Sequence, residues 1–213
     1  MKAALRHTLL GAAVALLAYV LLRTAWLSDD AYITFRAVEN FVSGIGMRWN
    51  PAERVQVFTH ALWFFVLSPF RAVTGEIYLT SLFLSMALTL VAAGLLIWRV
   101  AATLPMAVFA AAALISSRAF VDYSTSGLEN PLTNLLLIVF VLVWTRAYPR
   151  DPRRRVKSLA LVAALLMMNR LDTGLLVLPA VAAAAWRLRL RGFRPVVTGL
   201  LPLAAWEIFS VVY

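Results

Sequence analysis

The sequence predicts an all-α, polytopic membrane protein, with about seven transmembrane helices and further helices on the membrane surface. The first observation is composition: of 213 residues, 62% are hydrophobic and only 14% are charged. A soluble domain carries about 25% charged residues, so lipid must replace water around much of this chain. The second observation is that apolar stretches recur along the chain, each bounded by charged or polar residues.

Charge and cysteine content exclude several classes of function. The net charge of +10 does not indicate nucleic-acid binding, because the basic residues stand at the ends of apolar runs and not on one water-exposed face. We therefore expect no nucleic-acid partner. The chain has no cysteine, which excludes disulfide bonds, thiolate catalysis and cysteine-ligated metal sites.

The first span is predicted over residues 8–27. Lys2 and Arg6 precede an apolar run that continues to Trp26 and Leu27 and is long enough to cross a bilayer. A cleaved signal peptide is the alternative interpretation, because a basic start followed by an apolar run is also typical of one. No clear small-x-small cleavage site follows, and Trp26 is typical of an anchor at the membrane interface. We therefore favour a retained helix.

Six further spans are predicted within residues 77–213. They are the apolar runs Ile77 to Trp98, Leu104 to Val121, Leu128 to Thr145, Ser158 to Met168, Leu175 to Trp186 and Val196 to Tyr213. The run Phe58 to Val73 is ambiguous, because it is short and aromatic and contains Pro69 and Arg71. Such a run fits a helix that lies at the membrane interface better than one that crosses the bilayer.

Positive charge decides the topology, because cytoplasmic loops collect Lys and Arg. The basic segments are Lys2/Arg6, Arg99, Arg146 to Lys157, and Arg187 to Arg194. All of them fall on one side of the membrane only if Phe58 to Val73 does not span it. We therefore expect seven spans, a cytoplasmic N-terminus, and residues 28–76 as the first periplasmic loop with its interfacial helices.

This topology places three polar segments on the periplasmic face: Ser28 to Val57, Arg118 to Asn130 and Asn169 to Gly174. These segments, together with Glu76, hold most of the acidic residues of the chain, next to Arg36, Arg54, Arg118 and Arg170. A solvated loop carries acids without any function, and that is the simple explanation. A site formed by acids and arginines at one membrane face is the alternative.

Two adjacent acids, Asp29 and Asp30, open the segment SDDAYITFRAVENFVSG. The spacing of its apolar residues predicts a short amphipathic helix, which ends at Gly44. One acid would satisfy the N-terminus of that helix, where Ser28 or Asp29 could cap. A second acid is more than a cap needs, and adjacent carboxylates also hold a divalent cation or act as a general base.

Three other candidates each have a structural and a functional explanation. His60 is either a solvated loop residue or a proton carrier or metal ligand. Glu129 suits the N-terminus of the next helix, but it also lies on the same face as the acid pair. Arg170 either pairs with Asp172 in a tight helical hairpin or grips a lipid phosphate with its planar fork.

Four motifs occur in a recognisable order. They are DDAYITFR after the first span, GxGxxWNPxERV followed by THxLW, TSGLE before a helix, and NRLDTG. In this order they resemble the N-terminal half of the GT-C superfamily of polyprenyl-phosphate-dependent glycosyltransferases, in the bacterial branch that includes the arabinofuranosyltransferases of cell-wall arabinan and pilin modification. The last motif departs from the usual Thr-Arg-Pro-(Asp/Glu)-Gly, since Leu171 replaces the proline and Thr173 precedes the glycine.

The resemblance implies a multi-pass enzyme of the bacterial inner membrane with a periplasmic active site. Such an enzyme transfers a sugar, for example a pentofuranose such as arabinose, from a polyprenyl-monophosphate donor to a glycan or protein acceptor of the cell envelope. Family members usually run to several hundred residues. We therefore expect residues 1–213 to form one transmembrane module that is truncated at its C-terminus.

The resemblance also implies roles for individual residues. Asp29 is the expected general base and Asp30 the second choice. The expected substrate-binding residues are Tyr32, Arg36, His60, Glu129, Arg170 and Asp172. Among them Arg170, with Arg36 second, is expected to hold the phosphate, and Glu129 the sugar hydroxyls. If a divalent metal such as Mg or Mn takes part, its expected ligands are Asp29, Asp30 and Glu129.

Two other classes of function remain in competition. The first is a membrane transporter, which usually buries polar groups near the bilayer midplane, whereas the charges here stand at the ends of spans. Water-accessible positions in the middle of the spans, found by cysteine labelling, would support transport. The second is an inactive truncated relative or non-catalytic membrane partner, which would keep the fold but transfer no sugar.

Overall fold

The computed structural model describes residues 2–53, 55–145 and 151–213, and these ranges contain helices and connecting segments without a strand. The predicted all-α class is therefore confirmed. The α-helices are α1 (Lys2–Arg23), α2 (Asp29–Val42), α3 (Ala61–Thr74), α4 (Tyr78–Leu95), α5 (Leu104–Ser116), α6 (Arg118–Tyr123), α7 (Asn130–Thr145), α8 (Pro152–Asn169), α9 (Gly174–Trp186) and α10 (Phe193–Val212). A π-helix, Leu96–Val100, extends α4, and 3-10 helices at Leu171–Thr173 and Arg189–Gly192 precede α9 and α10.

Helices of two lengths make up the apolar part of the fold. Over the described ranges, three stretches are long and apolar enough to cross a membrane: Ala4–Arg23, Tyr78–Val100 and Arg189–Val212. Four apolar helices are shorter: Ala61–Thr74, Leu104–Ser116, Asn130–Thr145 and Leu171–Trp186. The 16 residues of α7 form a helix about 24 Å long, short of the roughly 30 Å of a bilayer core. Seven spans are thus not confirmed, and their number stays a prediction.

The last four helices alternate in direction, so their ends form two sets. The start of α7 is bonded to the end of α8, and the ends of α8 and α10 share a cavity. At the opposite end, the end of α7, the starts of α8 and α10 and the end of α9 come together. Polar loops therefore meet at one end of this bundle and basic segments at the other.

The amphipathic helix expected after the first span is present as α2. It begins directly after Ser28, and it buries a face that includes Ala31, Phe35 and Val38. The chain leaves the helix through Gly44, whose φ of 80° is in the left-handed region that favours glycine. The start and stop signals in the sequence thus define this element correctly.

The aromatic helix α3 differs from the expectation. It begins at Ala61 and not at Phe58, and two of its four aromatic side chains face protein while Phe65 and Phe70 are exposed. Trp63 and Phe64 are fully buried, and the Phe58 ring stacks on that of Phe64 with centroids 4.4 Å apart. The aromatic content that predicted an interfacial position therefore builds the core that α3 shares with α2.

The predicted span Leu104 to Val121 is wrong as a single helix. It breaks at Ser117, where the backbone is extended, into α5 and α6. The Ser117 hydroxyl accepts a hydrogen bond from the Phe120 N–H at 3.3 Å and so caps the second helix. Serine competes for backbone hydrogen bonds in this way, and Arg118 consequently starts a helix instead of lying in a loop.

The helix α8 starts earlier than the predicted run, at Pro152 and not at Ser158. Asp151 caps it by accepting a hydrogen bond from the Arg153 N–H at 3.0 Å, and proline is favourable in the first turn. The hydropathy pattern misses this turn because it carries four basic side chains, Arg153, Arg154, Arg155 and Lys157. These charges are therefore on a helix.

The turn between α6 and α7 depends on Gly127. Its φ is 79°, and a Cβ at this position would lie 2.8 Å from the Ala31 Cβ and 3.0 Å from side-chain atoms of Leu27 and Phe35. Its carbonyl accepts a hydrogen bond from the buried Trp63 indole at 3.0 Å. The turn therefore joins α2 and α3 to the start of α7.

We expect Gly127→Ala to destabilise the protein by about 2 kcal/mol or more, because it adds left-handed strain and steric overlap. Gly75→Ala is the matched control: its φ is 73° but a Cβ would meet nothing within 4 Å, so only strain of about 1 kcal/mol is expected. Thermal unfolding in detergent micelles measures both. Equal shifts would show that the close approach at Gly127 contributes nothing.

Candidate active site

A chain of polar contacts links four segments at the polar end of the bundle. The Thr34 hydroxyl lies 2.6 Å from His60 Nε2, and His60 Nδ1 lies 3.5 Å from Glu129 Oε2. The other oxygen of Glu129 accepts from Arg170 Nη1 at 3.3 Å. Arg170 also holds Asp172 with two bonds, at 3.3 and 3.2 Å. The structure thus brings together His60, Glu129, Arg170 and Asp172, which are distant in sequence.

Burial disfavours the protonated form of His60. Burial lowers the pKa of its imidazole below the usual 6.5, while Glu129 acts to raise it and Arg170 to lower it. A neutral ring satisfies both neighbours if Nδ1–H donates to Glu129 and Nε2 accepts the Thr34 hydroxyl proton. The alternative of a freely solvated histidine is therefore wrong.

Arg170 keeps part of its hydrogen-bonding capacity. The hydrogen bond to Asp172 raises the pKa of Arg170 and lowers that of the Asp172 carboxyl. Three of its N–H groups are used, one by Glu129 and two by Asp172. A guanidinium has five N–H groups, so two remain, one on each terminal nitrogen. The pairing with Asp172 and a role in ligand binding are therefore compatible.

Asn169 fixes the backbone of this network. It is the last residue of α8 and is 1% exposed. Its side-chain N–H group donates to the carbonyl of Glu129 at 3.0 Å and to the hydroxyl of Thr133 at 2.8 Å. The start of α7 and the end of α8 are consequently held together beside the Glu129 carboxylate.

A cavity of about 430 Å³ opens next to Arg170. Its lining residues come from the first polar loop, the residue before α7, the end of α8, the α8–α9 turn and the end of α10: Gln56, Thr59, Glu129, Met167, Met168, Arg170, Leu171, Asp172, Trp206, Glu207 and Ser210. One guanidinium faces three carboxylates here, which gives a formal charge of 1 − 3 = −2. Carboxylates accept hydrogen bonds from hydroxyl groups, so the cavity suits a polyhydroxylated ligand.

The acid pair stands at the start of α2, outside the residues that line this cavity. Asp29 Oδ1 accepts from the Ser28 hydroxyl at 3.2 Å and from the Asp30 N–H at 3.0 Å. Asp29 thus satisfies one N–H of the first turn, whereas the N-cap residue Ser28 makes no side-chain capping bond. The Ser28 N–H bonds to the Ser126 carbonyl at 2.9 Å, which places α2 against the loop that leads to Glu129.

Two predicted binding residues are engaged elsewhere. Tyr32 is half-exposed and packs edge-on against Phe35, with centroids 5.4 Å apart. Arg36 lies over the Trp49 ring, 4.7 Å from its centroid, and donates to the Trp49 carbonyl at 3.2 Å. Neither residue lines the cavity. Arg54 lies outside the described residues.

The predicted metal ligands are not gathered into one site. Within the described part of the chain, no group of three or more His, Asp or Glu side chains is arranged to hold a metal ion. Asp29 and Asp30 belong to α2, whereas Glu129 is paired with His60 and Arg170. A metal bound by Asp29, Asp30 and Glu129 does not fit this arrangement, and no step below depends on one.

Sequence reasoning missed one wall of the cavity. Trp206, Glu207 and Ser210 line it from α10, although their run was interpreted only as a span. An acid inside an apolar run is a signal of function in itself, and Glu207 is such an acid. The Trp206 ring is held by Phe65, with centroids 5.5 Å apart in an edge-on arrangement.

The chain is similar to two glycosyltransferases of known activity. Both are described as terminal beta-(1->2)-arabinofuranosyltransferases. The protein from Mycobacterium tuberculosis is 29% identical over an alignment of 213 positions, which covers 88% of this chain and 33% of that protein. The protein from Corynebacterium glutamicum is 27% identical over an alignment of 224 positions, gaps included, which covers 88% of this chain and 31% of that protein. This chain therefore spans about a third of the length of the curated relatives it matches.

These similarities confirm the expected resemblance to arabinofuranosyltransferases. No family model matches the chain, and no solved structure gives a significant match. The GT-C superfamily assignment and the correspondence to the N-terminal half of such an enzyme therefore stay predictions.

The titration of His60 tests the network directly. The chain has two histidines, so in a His7→Gln background the imidazole resonances report His60 alone. We expect a midpoint below 6.5, because burial disfavours the imidazolium. Glu129→Gln should lower the midpoint further and Arg170→Gln should raise it, and shifts in the opposite directions would contradict the described contacts.

The same pKa makes stability depend on pH. Because the folded-state pKa of His60 is lowered, the unfolded chain binds more protons below pH 6.5. The contribution of His60 to the free energy of unfolding is present above that pH, and it is lost as the pH falls through the folded-state pKa. The free energy of unfolding, measured at pH 7.5 and at lower pH for the unchanged chain and for His60→Gln, gives this contribution as the difference in pH dependence between the two.

Proposed function

We propose that this chain forms the substrate-binding module of a membrane glycosyltransferase. The enzyme transfers a sugar, a pentofuranose such as arabinose, from a polyprenyl-monophosphate donor to a glycan or protein acceptor on the periplasmic side of the inner membrane. The similarity to two arabinofuranosyltransferases supports the reaction class. The separation of the polar loops from the basic segments supports a periplasmic site.

The observation that carries the proposal is Arg170, a partly satisfied guanidinium on the wall of a small-molecule cavity. At about 430 Å³, the cavity lies within the roughly 300–1,000 Å³ of ordinary ligand pockets. The side chain of Arg170 is 42% exposed, and its two unused N–H groups suit phosphate oxygens. Glu129 and Asp172 hold the guanidinium of Arg170 in place, so it is preorganised for the charge that develops on a leaving phosphate.

The remaining walls suit a sugar. Hydroxyl groups of a furanose donate to the carboxylates of Glu129 and Glu207, and Ser210 offers a further partner. Trp206 provides an apolar face for the carbon side of the ring. The excess of carboxylates over cations disfavours a phosphate deep in the cavity, so the phosphate is assigned to the exposed side of Arg170 and the sugar to the interior.

Asp29 is the proposed general base and Asp30 the second candidate. The base removes the proton of the acceptor hydroxyl, whose oxygen attacks the anomeric carbon as the bond to the phosphate oxygen breaks. Two donors hold Asp29 Oδ1, which leaves Oδ2 as the proton acceptor. The contact of Ser28 with Ser126 supports a position near Glu129.

We expect Asp29→Asn to lower transfer from a polyprenyl-phosphoryl pentose by about 100-fold or more, measured with radiolabelled donor in membranes that contain the chain. Asp30→Asn tests the second candidate. Asp122→Asn is the control, because its carboxylate pairs with Arg118 on the protein surface. Full transfer by the Asp29→Asn/Asp30→Asn double variant would refute the proposed base.

Arg170→Gln tests the phosphate contact separately from the base. We expect weaker labelling by a photoactivatable polyprenyl-phosphoryl pentose, whereas Asp29→Asn should be labelled as strongly as the unchanged chain. Arg170→Lys should not restore binding, because an ammonium lacks the planar fork. Undiminished labelling of Arg170→Gln would remove Arg170 from the proposed site, whatever the outcome of the transfer assay.

A further inference from the structure

A second polar depression lies at the opposite end of α8 and α10 from Arg170. Five basic side chains line it: Arg153, Arg154, Lys157, Arg191 and Arg194. We call these residues the basic groove. Its volume is about 480 Å³. The proposed transfer reaction uses none of them, and they occupy the end of the bundle that the sequence predicts to be cytoplasmic.

Close helix packing forces these charges together. A Cβ on Gly199 of α10 would lie 2.5 Å from the Ala160 Cβ of α8 and 2.7 Å from the Lys157 carbonyl. The two helices therefore touch along their backbones one turn inside the groove. Gly192 packs closely too, since a Cβ there would overlap the Ala185 carbonyl, and this fixes the turn that carries Arg191.

Among the described residues, the basic groove has a single counter-charge. Its one acidic contact in the described ranges is Asp151, whose carboxylate lies 3.7 Å from Arg154 Nε. The side chains of Arg153, Lys157, Arg191 and Arg194 have no ion pair or hydrogen bond to a carboxylate of the described residues. Five cations against one acid leave a formal charge of 5 − 1 = +4, and this mutual repulsion is relieved by a bound anion.

An apolar groove adjoins the basic one. It has a volume of about 830 Å³. Five of its seven lining residues are apolar, namely Ala182, Ala185, Trp186, Leu190 and Phe193, and the other two are Arg187 and Arg189. Trp186, Leu190 and Phe193 are 85%, 95% and 73% exposed. Leu190 lines both grooves. A ligand that reaches from one groove into the other must therefore have an anionic part and a long apolar part.

We propose that the basic groove binds the phosphate headgroup of an anionic phospholipid, with an acyl chain of the same lipid along the apolar groove. Four of the five cations are arginines, whose forks match phosphate oxygens with two parallel hydrogen bonds. Basic pockets between membrane helices on the cytoplasmic side bind such headgroups. The adjoining apolar surface selects a lipid over a free phosphate ion.

The positive-inside rule gives a competing account, in which these residues only set the orientation of the chain. That account predicts that basic residues in the groove affect lipid binding no more than basic residues elsewhere at the helix ends. A lipid site in the groove predicts that removing the charges of Arg191 and Arg194 weakens lipid binding. Removing the same number of charges at Arg6 and Arg99 should leave lipid binding unchanged. The two explanations can therefore be separated with matched pairs of variants.

The experiment uses the chain purified in detergent and native mass spectrometry with added lipid. We expect one phosphatidylglycerol to remain bound at collision energies that remove phosphatidylcholine. Arg191→Gln/Arg194→Gln should weaken this binding about tenfold or more, whereas Arg6→Gln/Arg99→Gln should leave it unchanged. Equal losses in the two pairs, or equal retention of both lipids, would overturn the proposal.

Two further arms identify the source of the phosphate and guard against misfolding. Leu190→Ser should weaken phosphatidylglycerol binding, because it interrupts the apolar path. Inorganic phosphate that displaces the lipid at millimolar concentration would show a free-anion site and overturn the lipid assignment. Arg191→Lys/Arg194→Lys keeps the charge, so this variant should fold and should lose phosphatidylglycerol binding only in part. A loss of binding as small as that of Arg6→Gln/Arg99→Gln would also overturn the proposal.

Discussion

The carboxylate of Glu129 lies where the polar loops of the molecule meet, and keeping that charge inside the protein constrains everything around it. A buried carboxylate is costly unless it is paired and hydrogen-bonded. Arg170 supplies the cation and the His60 ring lies 3.5 Å from the carboxylate, while Asn169 bonds the backbone carbonyl of the same residue. These partners come from separate segments, so satisfying one charge also fixes how α2, α3, α7 and α8 come together.

The distribution of charge gives the molecule two distinct ends. Carboxylates dominate the cavity beside Arg170, and arginines dominate the basic groove. Between them the helices are almost entirely apolar, so neither set of charges can neutralise the other. We assign the donor sugar to the acidic cavity, its phosphate to the exposed side of Arg170, and a lipid headgroup to the basic groove.

Local signals in the sequence predicted those parts of the structure that local physics decides. The start and end of α2 follow from Ser28, Asp29 and Gly44, and the pairing of Arg170 with Asp172 follows from their place in a turn. Hydropathy does not predict that the Trp63 side chain is buried, because its burial depends on a hydrogen bond to the carbonyl of Gly127, which is distant in sequence. The wall formed by Glu207 was missed for a similar reason: only tertiary packing shows which face of a long apolar helix lines a cavity.

The contacts from Thr34 through His60 and Glu129 to Arg170 have a consequence for how this protein can diverge. Each member satisfies its neighbours, so a change at one position alters the cost of a change at the next. A relative that replaces Glu129 by a neutral residue must also change Arg170 or find it a new partner. These positions will therefore drift as a linked set, and co-variation among them in a future alignment will trace the network more clearly than the identity of any single residue.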